Sequence, residues 1–357
     1  MRNGLYIFLL TLILSSGCNK FNLTESQPKR VNSYFTLTPA EFGSISTRAG
    51  VAVDENSVIN LWVLQFDGTT DGSKLVRSEY MATVGSLADL QIVLNQGANH
   101  RVLFIANTFD SELFNEVNAP LNTYTLLQFK EKAFSLADEN GMLTGETTKY
   151  LRMYGSYIGV VPNKNSSITL YRICSKVNIN YISEDVSAIQ DGVRFRITSL
   201  QLKNVPATSS YISNPTNSVF FSPPSMIDYQ VTTGSLAGTA GESYSIDDYV
   251  GYVTYYMPEN IAGVNSSVGS QSFKSLYAPA KATWLEIKGE GISSDGRINE
   301  YATFKFYLGN NLITDYNVNT NTIYSFTVRF KGLNIKDMRL EIIRISDIEV
   351  IVEEEWI

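Results

Sequence analysis

The chain has 357 residues, room for two domains at about 150 residues each, and is 44% hydrophobic with a net charge of −7. Its 21 Tyr and 18 Phe favour strands, whereas one His and two Cys argue against Ser-His or Cys-His catalysis, two-His zinc sites and a disulfide-stapled scaffold. The acidic balance argues against nucleic acid, whose phosphates reward a basic face.

The first seventeen residues carry no acid, and Arg2 precedes a ten-residue apolar run, Leu5–Leu14. Such a run is too short for a spanning helix of about 20 residues but suits the apolar region of a secretory signal. It ends in Ser15-Ser16-Gly17-Cys18, which resembles a bacterial lipoprotein signal with Cys18 as the lipidated first residue of the mature chain. The leucine usual at the third position before the cysteine stands one place further back, as Leu14, and ordinary secretory cleavage is the alternative. Each buried methylene contributes about 0.8 kcal/mol, so two or three acyl chains hold a protein on a bilayer durably.

Residues 19–48 are polar apart from a strand expected over Ser33–Leu37, and read as a tether or detachable segment. Val58–Phe66 and Arg101–Ala106 are near-continuous apolar runs of the kind found in sandwich cores. From Asp110 to Ala137 the pattern turns helical in two pieces; Leu126, Phe129 or Lys130, and Ala133 share one side and would cover an end or edge of the sheet. Ser167–Tyr181 reads as one or two strands with Cys174 as a buried, inert thiol, and a domain boundary is expected near Glu184. Val193, Phe195 and Ile197 then alternate with Arg194, Arg196 and Thr198, before a long loop region to about Ser245. Strands follow at Val250–Met257, Thr283–Ile287, Tyr301–Leu308, Ile323–Phe330, Met338–Ile345 and Ile348–Val352, with turns expected at Gly289-Glu290-Gly291, Asp295-Gly296, Gly309-Asn310-Asn311 and Lys331-Gly332. The fold class is therefore mainly β: two tandem antiparallel β-sandwich domains with minor helices. The expected organisation is a signal peptide over 1–17, a tether or propeptide over 18–48, and domains over 49–185 and 186–357, the second ending in a strand over 348–357.

Several segments carry a resemblance. Tyr255-Tyr256-Met257-Pro258-Glu259-Asn260 follows a strand; Tyr307-Leu308-Gly309 leads through Asp315-Tyr316-Asn317-Val318 to Asn321-Thr322-Ile323-Tyr324; the chain closes on Ile348-Glu349-Val350-Ile351-Val352 and Trp356. In this order, with the lipoprotein signal and Thr47-Arg48-Ala49-Gly50, they resemble the fimbrillin-like lipoproteins of Bacteroidetes over nearly the whole chain. The resemblance implies two transthyretin-like sandwiches and a structural or adhesive subunit of surface fimbriae, exported to the outer membrane on its lipid anchor. It further implies an arginine-directed cut between Arg48 and Ala49, with Arg30 as the alternative, which removes the Ser33–Leu37 strand and opens a groove. A C-terminal strand of the next subunit would fill that groove, presenting Ile348, Val350 and Val352 on one face and Trp356 as an anchor. Partners so implied are other fimbrial subunits joined head to tail, the outer membrane, and a host or bacterial surface ligand; no enzymatic activity, cofactor, metal or nucleic acid is expected. A vacant strand position exposes backbone groups and apolar pockets that an incoming strand satisfies, and a heterologous contact of this kind propagates into a filament.

Other readings stand beside this one. The terminal strand can close its own sandwich instead of a neighbour's. A surface glycan-binding lipoprotein of a nutrient-uptake complex would use Tyr252, Tyr255 or Trp284, and a glycoside hydrolase would need paired carboxylates for which no motif exists. Glu353-Glu354-Glu355 lacks calcium-loop spacing, and His100 is expected at a partly exposed edge. A cut after Arg48 removes five of 28 basic and two of 35 acidic residues, moving the net charge from −7 to −10.

Overall fold

The computed structural model describes residues 28–40, 55–136, 150–162, 164–183, 193–212, 226–229, 232–233, 245–246, 250–330 and 339–344. The first group of elements comprises β1 (Arg30–Pro39), β2 (Leu61–Phe66), β3 (Leu75–Met81), β4 (Leu90–Asn95), β5 (Gly97–Ala106), α1 (Leu126–Glu131), β6 (Ala133–Phe134), β7 (Met153–Val161) and β8 (Ser166–Arg172). Seven of these strands form one sheet in the order β3-β2-β5-β7-β8-β1-β4. Strand β7 pairs with β5 along its length but with β8 only where Met153 faces Arg172 and Tyr154 faces Tyr171, so the sheet turns a corner there. Beyond it the two limbs face each other across one core: Val63, Val102 and Phe104 from one, Phe35, Leu37, Ile92, Leu94 and Ile168 from the other. Gly155 permits the close approach, because a Cβ there would stand 2.8 Å from a Leu170 methyl and 3.0 Å from the Thr169 carbonyl oxygen.

All six residues of β2 are buried because the limb is covered on both faces. Its outer face packs Trp62, Leu64 and Phe66 against Phe114, Tyr124, Leu126 and Phe129. Helix α1 opens on a capping box in which Thr125 and Gln128 each bond the other's backbone N–H through their side chains. It ends earlier than its apolar spacing suggests: Ala133 is exposed and, with Phe134, pairs as β6 against Ser209–Ser210. The first expected helical piece is a run of turns, in which Asp110 and Asn115 side chains accept from the backbone N–H groups of Glu112, Val117 and Asn118 in place of helical carbonyls.

The second group comprises β9 (Ser175–Ser183), β10 (Val193–Lys203), β11 (Val205–Pro206), β12 (Ser209–Ser210), β13 (Met226–Ile227), β14 (Thr232–Thr233), β15 (Ser245–Ile246), β16 (Val250–Met257), β17 (Asn260–Val264), β18 (Trp284–Ser293), β19 (Ile298–Tyr307), β20 (Asp315–Val318), β21 (Ile323–Phe330) and β22 (Arg339–Arg344). A four-stranded sheet, β14-β10-β18-β19, packs on a five-stranded one, β15-β16-β9-β21-β22, around a core that includes Ile179, Phe195, Leu200, Tyr255, Ile287, Phe304 and Val328. The protein is thus mainly β and built of sandwiches.

Three departures from expectation trace to partners distant in the chain. Strand β9, which precedes the division expected near Glu184, pairs with β16 and β21 and with no strand of the first group. The turn expected at Gly289-Glu290-Gly291 is continuous strand, because Gly289 leaves room for Phe195, whose ring would lie 2.3 Å from a Cβ there. Among the described residues the ladders are antiparallel except for β1–β8 and β9–β21, which are parallel and whose partners are far apart in the chain. In β10 the expected alternation holds to Ile197 and is then reset by a bulge before Ser199, so that Ile197 and Leu200 are both buried.

Candidate strand-exchange site

Strand β1 is the middle strand of the limb β8-β1-β4. Residues Arg30 to Phe35 run antiparallel to Asn95 to Leu90, and Phe35 to Pro39 run parallel to Ser166 to Leu170. The ladder extends past both ends: Gln96 N–H donates to the Lys29 carbonyl, Leu37 N–H to Leu87 and Ala40 N–H to Leu170, each at 2.8 Å. Among the described residues β4 has no other strand partner, and β8 has only the two residues at the corner. Removing β1 would therefore expose the backbone of both neighbours.

The side chains of β1 alternate between the two faces. Ser33, Phe35 and Leu37 are buried, whereas Tyr34 and Thr38 are exposed. Phe35 meets Phe104 and Tyr157 edge-on, with ring centroids 5.1 and 5.3 Å away. Burial of side chains like Phe35 and Leu37 contributes about 1.5–3 kcal/mol each. On the outer side Thr36 Oγ1 donates to Asn165 Oδ1 at 3.3 Å, and Asn165 Nδ2 donates to Asp89 at 2.9 Å.

At the C-terminal end of β1 lies Arg172, the last inward position of β8 after Ile168 and Leu170. It is fully buried. Its Nε donates to the Glu55 carbonyl at 2.8 Å, and Nη1 donates to the Ala40 carbonyl at 2.6 Å and to Asn321 Oδ1 at 3.0 Å. Nη2 donates to Asn56 Oδ1. The Glu55 carboxylate in turn accepts from Lys176 Nζ at 2.7 Å and from the Tyr256 hydroxyl at 2.6 Å. Burial pushes the Arg172 guanidinium down from its ordinary pKa, while Cys174, Glu55 and Tyr256 act in the opposite sense. A buried cation is tolerable only with its donors occupied, and this one draws acceptors from the end of β1, from the segment after residue 54 and from the turn between β20 and β21.

Cys18, Arg48, Ala49, Ile348, Val350, Val352 and Trp356 lie outside the described residues. The Ser33–Leu37 strand is found within β1, longer at both ends. Cys174 is buried, and burial pushes its thiol up to about 12. His100 is not at an exposed edge: it is 9% exposed, its Nδ1 accepts from Gln65 Nε2 at 2.9 Å, and burial lowers its pKa. Tyr255 lies in the second core and so offers no glycan platform, whereas Trp284 is half-buried on the sheet surface beneath Lys305. Arg172 and Glu55 were not legible as a site; the one signal is a charge at the inward position of the Ile168, Leu170, Arg172 alternation. Among the described residues no group of three or more His, Cys, Asp or Glu side chains could hold a metal, and no helix is long and apolar enough to cross a membrane.

Fold and site together define a β-sandwich protein in which β1, the first strand among the described residues, completes the core of the first group of elements. Residues 255–328 match a family model described as a domain of unknown function, DUF4906. No curated protein matches the chain in sequence. The C-terminally truncated tip fimbrial protein Mfa3 from Porphyromonas gingivalis is similar in structure, with a TM-score of 0.52 and 14% identity over 91% of this chain and 100% of that one. A candidate cell adhesion protein from Parabacteroides distasonis aligns with a TM-score of 0.54 and 13% identity over 89% and 96% of the two chains. Another from Bacteroides eggerthii aligns at 0.52 and 12% over 92% and 97%. The resemblance read from the motifs is matched at the level of fold.

Proposed function

We propose that the protein is a structural and adhesive subunit of cell-surface fimbriae, exported as a lipoprotein on Cys18. In this reading it is assembled by strand insertion after a cut between Arg48 and Ala49. The observation that carries the reading is β1: a central core strand contributed entirely by residues that precede the cut. Cleavage makes that strand a separate segment, and its departure opens a groove between β4 and β8 with positions for residues in place of Ser33, Phe35 and Leu37. An extended segment fills such a groove through main-chain pairing and alternate side chains. Ile348, Val350, Val352 and Trp356 of the next subunit are the incoming residues, and repetition of this head-to-tail contact builds a filament. The fold shared with a tip fimbrial protein supports a fimbrial partner set and a surface location. The first structural unit then runs from the new N-terminus to Ile173, and the second from Cys174 onward.

Deleting residues 348–357 tests the donor role: soluble monomers are expected, and fibres of normal length would overturn it. Cys18→Ala tests the anchor: the protein should leave the membrane fraction, and unchanged fractionation would contradict lipidation there.

A further inference from the structure

Ala40 and Glu55 bracket the connection after β1, and both rest their carbonyl oxygens on the same buried guanidinium, at 2.6 and 2.8 Å from Arg172. Two other acceptors, Asn56 Oδ1 and Asn321 Oδ1, belong to the body of the protein. Asn321 is itself fixed, because its N–H donates to the Cys174 carbonyl at 2.8 Å and its Oδ1 also accepts the Arg172 backbone N–H at 3.2 Å. Of these acceptors only Ala40 lies on the β1 side of a cut between residues 40 and 55.

We propose that Arg172 is a clasp that keeps β1 seated after the connection is cut, so that cleavage and departure of the strand are two separate events. The inference rests on the reading that the chain is cut there, and concerns the fate of β1 once the bond is broken. Hydrolysis of one peptide bond leaves the β1 ladder, the burial of Phe35 and Leu37, and the Ala40–Arg172 bond in place. Departure of β1 withdraws an acceptor from a buried cation, which is costly unless another acceptor arrives. The strand that displaces β1 must therefore extend far enough to set a carbonyl beside Arg172; one that stops at the Leu37 position fills the apolar pockets but leaves the clasp holding Ala40. A hydrogen bond to a charged group is worth roughly a ten- to hundredfold change in dissociation rate.

The test uses the Cys18→Ala chain with a site-specific protease sequence substituted within residues 43–52. After cutting in vitro, gel filtration and native mass spectrometry report whether the segment carrying β1 stays bound. It should be retained in the parent and leave at least about tenfold faster from Arg172→Gln. Immediate loss from the parent, or equal retention in both, would overturn the clasp. Because Arg172→Gln can fail to fold, a second arm keeps Arg172: the protein beginning at Ala49 is refolded with an amidated peptide of residues 28–39 or 28–40. Only the longer peptide carries the Ala40 carbonyl, and it should dissociate at least about tenfold more slowly; equal rates would contradict the proposal. Whether cells make the cut is read separately from the mature N-terminus, so failure of the clasp and failure of the processing reading are distinguishable.

Discussion

Replacing Phe35 by Ala probes whether β1 is a core strand or a replaceable cover. Phe35 is fully buried and meets Phe104 and Tyr157 at 5.1 and 5.3 Å between centroids. Truncation loses the transfer energy of the ring and leaves a cavity between the two limbs, at a cost of about 3–5 kcal/mol. For a unit of this size each kcal/mol lowers Tm by about 2–4 °C, so a fall of roughly 6–20 °C is expected. Tyr34, next on the same strand and 37% exposed, is the control; Tyr34→Ala should cost under about 1 kcal/mol. Chemical denaturation of the uncut chain, followed by fluorescence of Trp62, which packs in the same unit against Phe114 at 5.6 Å, measures both. Equal effects of the two substitutions would refute the assignment of β1 to the core.

Two further predictions concern buried groups. Lys274 is 5% exposed, and burial pushes its amine down from 10.5 to about 8; between those values the unfolded chain holds a proton that the folded one lacks. Stability relative to Lys274→Met should therefore be flat below pH 8 and rise through that window by roughly 3 kcal/mol, and a pH-independent difference would contradict the burial argument. Cys174, with its thiol held near 12 inside the protein, should resist alkylation at pH 8 in the folded Cys18→Ala chain and react only on unfolding; rapid labelling of the native protein would show the site to be open.

Much of the fold was legible because it rests on side-chain periodicity. Val250–Met257 and Ile323–Phe330 are strands over the residues expected, since each is a β-branched and aromatic run between polar flanks. The strand expected over Ser33–Leu37 likewise lies within β1, the element on which the functional reading turns. What stayed hidden depends on partners distant in the chain. Gly289 reads as a turn residue until Phe195 is seen to pack on it, and Ala133 reads as helical until Phe134 is seen opposite Ser209. The pairing of β9 with β16 and β21 likewise leaves no mark on its own residues. Arg172 is the clearest case, since its acceptors lie 116 to 149 residues away along the sequence.

The central claim is that β1 belongs to a precursor and is replaced in the working form. Mass spectrometric determination of the N-terminus of protein recovered from assembled surface fibres tests it most directly. The account predicts a subunit beginning at Ala49, without the segment that carries β1. Fibres built from chains that begin at a lipidated Cys18 and retain β1 would contradict it.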